Sequence, residues 1–491
     1  MLSIKNKKTI SPVVAVALLI VVAVVSVVSF QTWFSTYSSG IFTNTETQSS
    51  NSVQDTGIDS VIGNRLYFKN FGLTSITINA IKVDGVDCNK NLVVAAGDIV
   101  DININNCLAN VSISNPEVVV YSQDKLYSKY IYKKHSFSLL SPAYEIWNVS
   151  YDGGSGDDVG EDIAVDNSDN VYVTGRSSIG VNDDYYTIKY DSSGNKIWNV
   201  SYDSGSNDQG KGVAVDSSGN VYVTGDSYGT DYDYYTIKYD SSGNEMWNVS
   251  YDGGSNDKGY GIAVDNSGNV YVTGWSNIGG NNDYYTIKYN SSGNEMWNVT
   301  YNGGGNDDGH GIAVDNSGNV YVTGDSYIGT DFDYYTIKYD SSGNEMWNVT
   351  YDSGSSDSGY GIAVDSSGNV YVIGYSGFLS TDYYTIKYNS SGNEMWNVTY
   401  DGGNSDSGFD IAVDSSDNVY VTGSSNNGVD DDYYTIKYDS SGNEIWNVTS
   451  DSGSSDYGYG IAVDSSGNVY VTGDSYIGTN YDYYTIKYEQ S

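Results

Sequence analysis

Proline is nearly absent: the 491-residue chain has three, Pro12, Pro116 and Pro142, and none after that. The long C-terminal part is therefore not a proline-rich linker, and no ring interrupts its β-ladders. Arginine occurs only as Arg65 and Arg176, so no cluster of guanidinium forks can clamp a carboxylate or phosphate substrate. Histidine is equally scarce. His135 and His310 are too far apart in sequence to suggest a His-based metal or catalytic cluster. Basic residues are few: 22 Lys and Arg face 62 Asp and Glu, a net charge of −40. Such a surface repels phosphate backbones, so no nucleic-acid partner is expected. No base, nucleophile or metal constellation stands apart from the repeat pattern described below, so the chain is read as a non-enzyme.

What is present is uneven. Residues 1–142 carry 11 basic and 9 acidic side chains, whereas residues 143–491 carry 11 and 53. The boundary falls at Pro142. The first part opens with Lys5, Lys7 and Lys8, followed by an uncharged apolar run from Ile10 to Phe30. Twenty-one residues make about 31 Å of helix, enough to span a bilayer. The lysines place the N-terminus in the cytoplasm, and Phe30, Trp33, Phe34 and Tyr37 belong at the outer interface. A cleaved secretory signal is the alternative, although the run is long for one and no small-x-small site follows it.

The stretch Lys8-Thr9-Ile10-Ser11-Pro12-Val13-Val14 resembles the N-terminus of archaeal type IV pilins. The resemblance implies cleavage between Thr9 and Ile10, and helices packing with other pilin-like subunits into a filament core. Thr9 stands where that family usually has Gly or Ala, and the helix lacks the family's acidic residue. A plain single-pass anchor accounts for the hydropathy equally well.

Residues 38–56, rich in Ser, Thr, Asn and Gln, read as a flexible stalk. Residues 57–142 read as a small β-sandwich-like domain, with strand-type runs at 65–69, 75–79, 81–83, 99–103 and 118–121. This segment loosely resembles the β-domain of archaeal pilins and archaellins. It holds the only cysteines, Cys88 and Cys107, which read as a disulfide in an extracellular domain or else as two buried thiols.

From residue 143 the chain repeats. Trp-Asn-Val-Ser/Thr recurs at Trp147, Trp198, Trp247, Trp297, Trp347, Trp396 and Trp446, with a period near fifty. Each unit has four β-rich runs joined by turns such as Asp-Ser-Ser-Gly-Asn. A four-stranded meander of this kind must bury both faces, which radial stacking achieves. The units resemble SBBP-type β-propeller repeats, which implies a seven-bladed propeller of four-stranded antiparallel blades. The array begins at a fourth strand (144–150) and ends at a third (484–488), so the first segment should complete the last blade. Lys238 should then lie opposite Trp247, and Lys487 opposite Trp147, each in reach of a cation–π contact.

Function is expected on the face that carries the variable loops. Tyr232, Trp275, Tyr375 and Phe378 are its aromatic candidates for a glycan or surface-protein ligand. Asp231 with Asp233, and Asp331 with Asp333, offer clustered oxygens for calcium; no other cofactor is suggested. Asn290 and Asn389 lie in sequons within turns and are candidate glycosylation sites. The segment Asp340–Trp347 faintly resembles the Asp-box of sialidases and the Trp repeat of quinoprotein propellers, in both of which it is chiefly structural. The molecule is expected at the cell surface, single-pass, with its bulk outside and in a pilus-like filament if the pilin resemblance extends to polymerisation. Adhesion or recognition is the leading role. A structural envelope component and an extracellular enzyme are the alternatives.

Overall fold

Each fifty-residue repeat folds as four antiparallel strands. The computed structural model describes residues 143–490, except 155, 179, 378 and 379, and the backbone of eight strands between Thr56 and Tyr130. The apolar run 10–30, the Thr9–Ile10 junction, the 38–55 stalk, Cys88, Cys107 and Phe378 lie outside the described residues. Among the described residues no helix is long and apolar enough to cross a membrane. The chain divides between residues 139 and 140. In the first unit Thr56–Ile62, Arg65–Asn70 and Ile99–Asn103 form one sheet, and five further strands around Ile76–Val83 form another.

The second unit is the propeller. Blade 3 is representative: Asp257–Val264, Val270–Asn277, Asn282–Tyr289 and Glu295–Tyr301 pair in sequence order. Blades 1, 2, 4, 5 and 6 begin at Asp158, Asp208, Asp307, Asp357 and Asp406 and repeat the same order. Blade 7 takes three strands from 456–489 and its fourth from Tyr144–Tyr151. The expected closure is present, with Lys487 opposite Trp147 and Ile486 opposite Asn148.

Alternation explains why both faces are apolar. In Val171-Tyr172-Val173 the two valines and Ile188 pack toward blade 7, against Tyr470 and Tyr483. Tyr172, pointing the other way, packs with Tyr185 against Val221 and Val223 of blade 2. Each of the seven junctions has one such core, so the middle strands are buried on both sides. A buried tyrosine needs a partner for its hydroxyl. Tyr185, Tyr234, Tyr284, Tyr334, Tyr383, Tyr433 and Tyr483 each donate to a main-chain carbonyl of the next blade at 2.9–3.1 Å. The last of these joins Tyr483 to Tyr186 and seals the ring.

The repeated tryptophans are architectural. Trp198 Nε1 donates to the Ser241 carbonyl of the following blade at 3.2 Å, and Trp147 does the same to Ser192 across the closure. Trp446 Nε1 is buried without such an acceptor, because the third and fourth strands of blade 7, Asn480–Glu489 and Tyr144–Tyr151, are not joined by a turn. Gln490 fills part of that gap, bonding Lys437, Tyr420 and the Gly467 carbonyl. The expected Lys–Trp register is observed, but the cation–π partner is different. Lys238 has Trp247 on one side and Tyr222 on the other, and its Nζ stands 4.8 Å from the Tyr222 ring centroid.

One blade breaks the internal pattern. In six blades two buried threonines share a hydrogen bond, such as Thr323 with Thr336 at 2.9 Å. In blade 5 Ile373 replaces the first threonine, and Thr385 Oγ1 is buried without a partner. Thr385→Val should therefore raise stability by about 1 kcal/mol. Thr336→Val should lower it by a similar amount, because it strands Thr323. Thermal unfolding of the two variants should move in opposite directions; movement in the same direction would contradict the pairing.

Candidate functional site

The innermost strands carry the variable chemistry. Each touches the next, and the blade 7 strand touches that of blade 1, so together they line a central channel. Each follows the pattern Asp-x-Gly-X-(Gly/Asp)-(Ile/Val)-Ala-Val, as in Asp257–Val264. A bulge interrupts pairing at X, between Gly259 and Gly261 in blade 3 and at the same place in every blade. A bulge re-aims the side chain it carries. Here X reaches the channel and differs from blade to blade: Glu161, Lys211, Tyr260, His310, Tyr360, Phe409 and Tyr459.

The glycine of Val-Tyr-Val-Thr-Gly keeps the bulge tight. A Cβ on Gly274 would come within 1.9 Å of the Lys258 carbonyl and 2.6 Å of the Tyr234 hydroxyl. No side chain fits there, whatever its conformation.

Five of the X residues form an aromatic arc across blades 3 to 7. Ring centroids lie 5.2 Å apart for Tyr260 and His310, and 4.7 Å for His310 and Tyr360. They lie 5.5 Å apart for Tyr360 and Phe409, and 5.2 Å for Phe409 and Tyr459. All five rings are half-buried and border a cavity of about 380 Å³. The remaining two X residues close the circle as an ion pair, Glu161 with Lys211.

Side chains on the second strands support this lining. Trp275 Nε1 donates to the Tyr260 hydroxyl at 3.2 Å, and Tyr375 lies 5.8 Å from Tyr360. His310 Nε2 meets Asp325 Oδ1 at 2.7 Å. Lys258 pairs with the fully buried Asp226 at 3.3 Å, while burial pushes the Asp226 carboxyl up against the pull of Lys258 and Lys211. Arg176 is held by Asp183 at 3.1 Å.

Two aspartates narrow the channel. Asp162 and Asp410 occupy positions that are glycine in the other five blades. Asp162 accepts from its own neighbour Ile163 N and from Val213 N of blade 2, each at 2.7 Å. Asp410 accepts from Ile411 N and from Ile461 N of blade 7, each at 2.8 Å. Burial raises both carboxyls, Asp410 to about 7, and the charge of Asp410 raises Asp162 further. The two stand on either side of blade 7, whose Gly460 could not carry a Cβ without meeting Asp162 Cα at 2.9 Å.

The sequence-expected residues fall in three places. Trp275 is buried in a strand that runs to Asn277, so it is not a surface-loop side chain as its sequence position suggested. Trp275 and Tyr375 back the channel lining, while Tyr232 lies apart under Lys258, whose Nζ is 4.1 Å from its ring centroid. Asp231 and Asp331 do not join Asp233 and Asp333 in a cluster. Instead Asp233 meets Asp252 and Asp257, and Asp333 meets Asp352 and Asp357, with ligand-type oxygens within 4.8 Å of one another. Burial and the neighbouring charges push Asp233 and Asp333 up to about 6. Asn290 and Asn389 cap their turns through Oδ1, accepting from the main chain at 2.9–3.1 Å. The sequon residue Asn248 stands exposed on an outer strand, its amide donating to Glu245.

Six segments match the SBBP beta-propeller repeat: 203–233, 252–281, 299–333, 351–378, 398–429 and 449–482. The equivalent part of blade 1, which holds Glu161, Asp162 and Arg176, is not among them. No curated protein sequence matches the chain. Among solved structures, the Neurospora crassa Pan2 WD40 domain is 10% identical, with a TM-score of 0.47, over 70% of this chain and 95% of that one. Sqt1 from Chaetomium thermophilum is 12% identical, with a TM-score of 0.42, over 68% and 82%. The chain thus carries SBBP beta-propeller repeats, set in a closed ring of seven four-stranded blades.

Proposed function

We propose that this chain is a cell-surface recognition protein whose propeller binds a neutral glycan at the mouth of the central channel. One observation carries the reading. A column that varies between nearly constant glycine and Gly/Asp neighbours faces the channel, and in five successive blades it holds a ring-bearing side chain. Aromatic faces stack on the C–H faces of sugars, and adjacent carboxylates and amides accept and donate to their hydroxyls. A cavity of about 380 Å³ is in the range of small-ligand sites. In the same reading residues 1–37 hold the propeller outside the cell, as a single-pass anchor or a filament subunit, and the acidic surface keeps nucleic acid away.

Polar groups from several blades also converge here, a pattern that could serve catalysis. Both oxygens of Asp162 and of Asp410 already accept main-chain N–H groups, however, so these carboxylates serve to tie blades together. Binding, not turnover, is the function the arrangement supports.

The test is titration of the full-length protein with neutral oligosaccharides of defined composition, read by calorimetry. Tyr360→Ala and Phe409→Ala should weaken binding about tenfold or more each while leaving the melting temperature within a few degrees. Retained affinity in both variants, or no saturable binding across the oligosaccharide set, would leave the structural envelope role as the better account.

A further inference from the structure

The blade junctions carry a second feature, independent of the channel. At each junction three positions converge: the aspartate just before the Tyr-Tyr-Thr-Ile-Lys-Tyr run of the third strand, the residue after the Trp-Asn-Val-Ser/Thr strand, and the aspartate that opens the next innermost strand. They are Asp184, Asp203 and Asp208 between blades 1 and 2, and Asp233, Asp252 and Asp257 between blades 2 and 3. Asp333, Asp352 and Asp357, then Asp382, Asp401 and Asp406, and finally Asp482, Asp152 and Asp158 repeat the set. In each of these sets the three carboxylates lie within 4.8 Å of one another. The junction of blades 6 and 7 has Asp432, Asp451 and Asp456 in the same places.

Three like charges at that spacing repel strongly. No lysine, arginine or histidine pairs with them among the described residues. Two members of each set are engaged by main chain: Asp357 accepts from Ser353 N at 2.7 Å, and Asp352 accepts from Gly354 N. The third is not. Asp333 is 2% exposed, and its buried Oδ1 has no hydrogen-bond partner. Asp233, Asp382 and Asp432 each have an orphaned buried oxygen at the same position.

The seventh junction is a built-in control. Between blades 3 and 4 the middle residue is Asn302. Its amide donates to Asp283 Oδ2 at 3.0 Å, while Asp283 Oδ1, the oxygen orphaned in Asp233 and Asp333, accepts from Asn281 at 3.1 Å. A positive partner is thus supplied covalently where one carboxylate is missing. Where all three carboxylates are present, Asn182, Asn427 and Asn480 donate an amide to Asp184, Asp432 and Asp482 at 3.5, 2.8 and 3.4 Å. Oδ1 of Asp233, Asp333, Asp382 and Asp432 nevertheless stays unpartnered and three carboxylates still face one another, which leaves an external cation as the partner that would neutralise them.

We propose that the six all-aspartate junctions each bind a calcium ion, and that the Asn302 junction does not. Calcium is the hard cation that accepts clustered carboxylate oxygens in flexible geometry, together with main-chain carbonyls and water. Each site would staple two adjacent blades, because its ligands come from both and from the crossover between them.

The experiment uses full-length protein in detergent micelles, stripped with chelator and titrated with calcium chloride at constant ionic strength. Saturable binding should be accompanied by a rise in melting temperature of about 5 °C or more. Asn302→Asp should add one equivalent of bound calcium, and Asp352→Asn, which copies the natural Asn302 arrangement, should remove one. Asp333→Asn should likewise remove one. A stoichiometry indifferent to all three substitutions would reduce calcium binding to diffuse attraction by the −40 charge and overturn the proposal. So would a melting temperature unmoved by calcium. Displacement of bound calcium by equimolar magnesium would overturn the assignment to calcium.

Discussion

Removal of residues 480–491 is expected to abolish cooperative unfolding of the propeller. The deleted segment is the third strand of blade 7, and it joins both ends of the ring. On one side it pairs with Val469–Ile477, and on the other with Tyr144–Tyr151. Its loss leaves residues 144–151 as an unpaired strand and removes Tyr483 from the junction with blade 1 and Ile486 and Tyr488 from the junction with blade 6. It also removes the Tyr483–Tyr186 hydrogen bond and the acceptor of Tyr433, the Tyr484 carbonyl. Each buried large side chain is worth about 1.5–3 kcal/mol, so the loss rivals the total stability of a domain, about 5–15 kcal/mol.

Because every blade is buried between two others, exposure of one edge weakens both neighbours, and opening spreads around the ring. Circular dichroism should show a broad melt lowered by roughly 15 °C or more, or none. Tyr483→Phe is the graded comparison. It removes one buried hydroxyl and its bond to the Tyr186 carbonyl, and should cost about 1 kcal/mol. A truncated protein that melted like the parent would show that the ring does not depend on this closure.

The ring was legible in the sequence because its determinants recur. Tryptophans every fifty residues, near-identical turns of the Asp-Ser-Ser-Gly-Asn kind and mismatched ends leave little freedom of topology. The turns explain their own persistence. Asp240 Oδ1 accepts from Ser242 N and Asn244 N at 2.8–2.9 Å, and Gly243 takes a φ of +84° that L side chains rarely adopt.

The site was harder to read, for a physical reason. Loop variability draws attention to surfaces, whereas the informative column lay inside a strand, at the residue after Gly in Asp-x-Gly-X. A regular strand would turn X with its period-two neighbours, and only the bulge sends it to the channel. The bulge has no sequence signature apart from glycines that also suit other uses. Seven aligned repeats nonetheless show X varying from Glu161 to Tyr459 between nearly constant neighbours, and that contrast was available without a structure. The aspartate clusters were missed for the opposite reason. Asp231 and Asp233 are close in sequence, but Asp252 and Asp257 reach Asp233 through the stacking of blades. The lysines show a third limit. A strand residue has two cross-strand neighbours, and a register argument that considers only Trp247 overlooks Tyr222.

Stability in chelator-containing buffer is expected to fall as pH rises from about 4 to 8, the reverse of ordinary acid denaturation. The groups responsible stand at the channel. Asp474 is pushed up to about 8 by burial and by the charge of Glu161, against the opposing pull of Arg176. Asp410 is pushed up to about 7 by burial, and Asp162 is raised by burial and by Asp410. Lys211 and Glu161 complete the charged surroundings.

A carboxyl whose folded value lies above its unfolded value, about 4, keeps its proton in the native chain after the unfolded chain has released it. Between those values the native state binds more protons, so each rise in pH favours unfolding. The contribution is complete below about pH 4 and gone above about pH 8. With allowance for water in the channel, Asp410 and Asp474 each account for on the order of 1–2 kcal/mol, and Asp162 acts in the same direction. The turn aspartates act in the opposite sense. Asp216 and Asp265 are raised by burial but are brought below the usual carboxylate range by hydrogen bonds from Asn220 and Asn269, so their support is lost only as pH falls below about 4.

The maximum should therefore lie near pH 4–5, and urea unfolding at fixed ionic strength should find several kcal/mol less stability at pH 8. Asp474→Asn should flatten the slope above pH 6, and Asp162→Asn with Asp410→Asn should flatten it between pH 4 and 7. Asparagine has one accepting oxygen where aspartate used two, so each variant keeps at most one of its two main-chain bonds and loses some stability at every pH; the slope against pH, not the absolute stability, is therefore the readout. A profile that rose toward neutrality, or a slope unchanged in these variants, would mean that the channel carboxyls do not hold their protons into the neutral range.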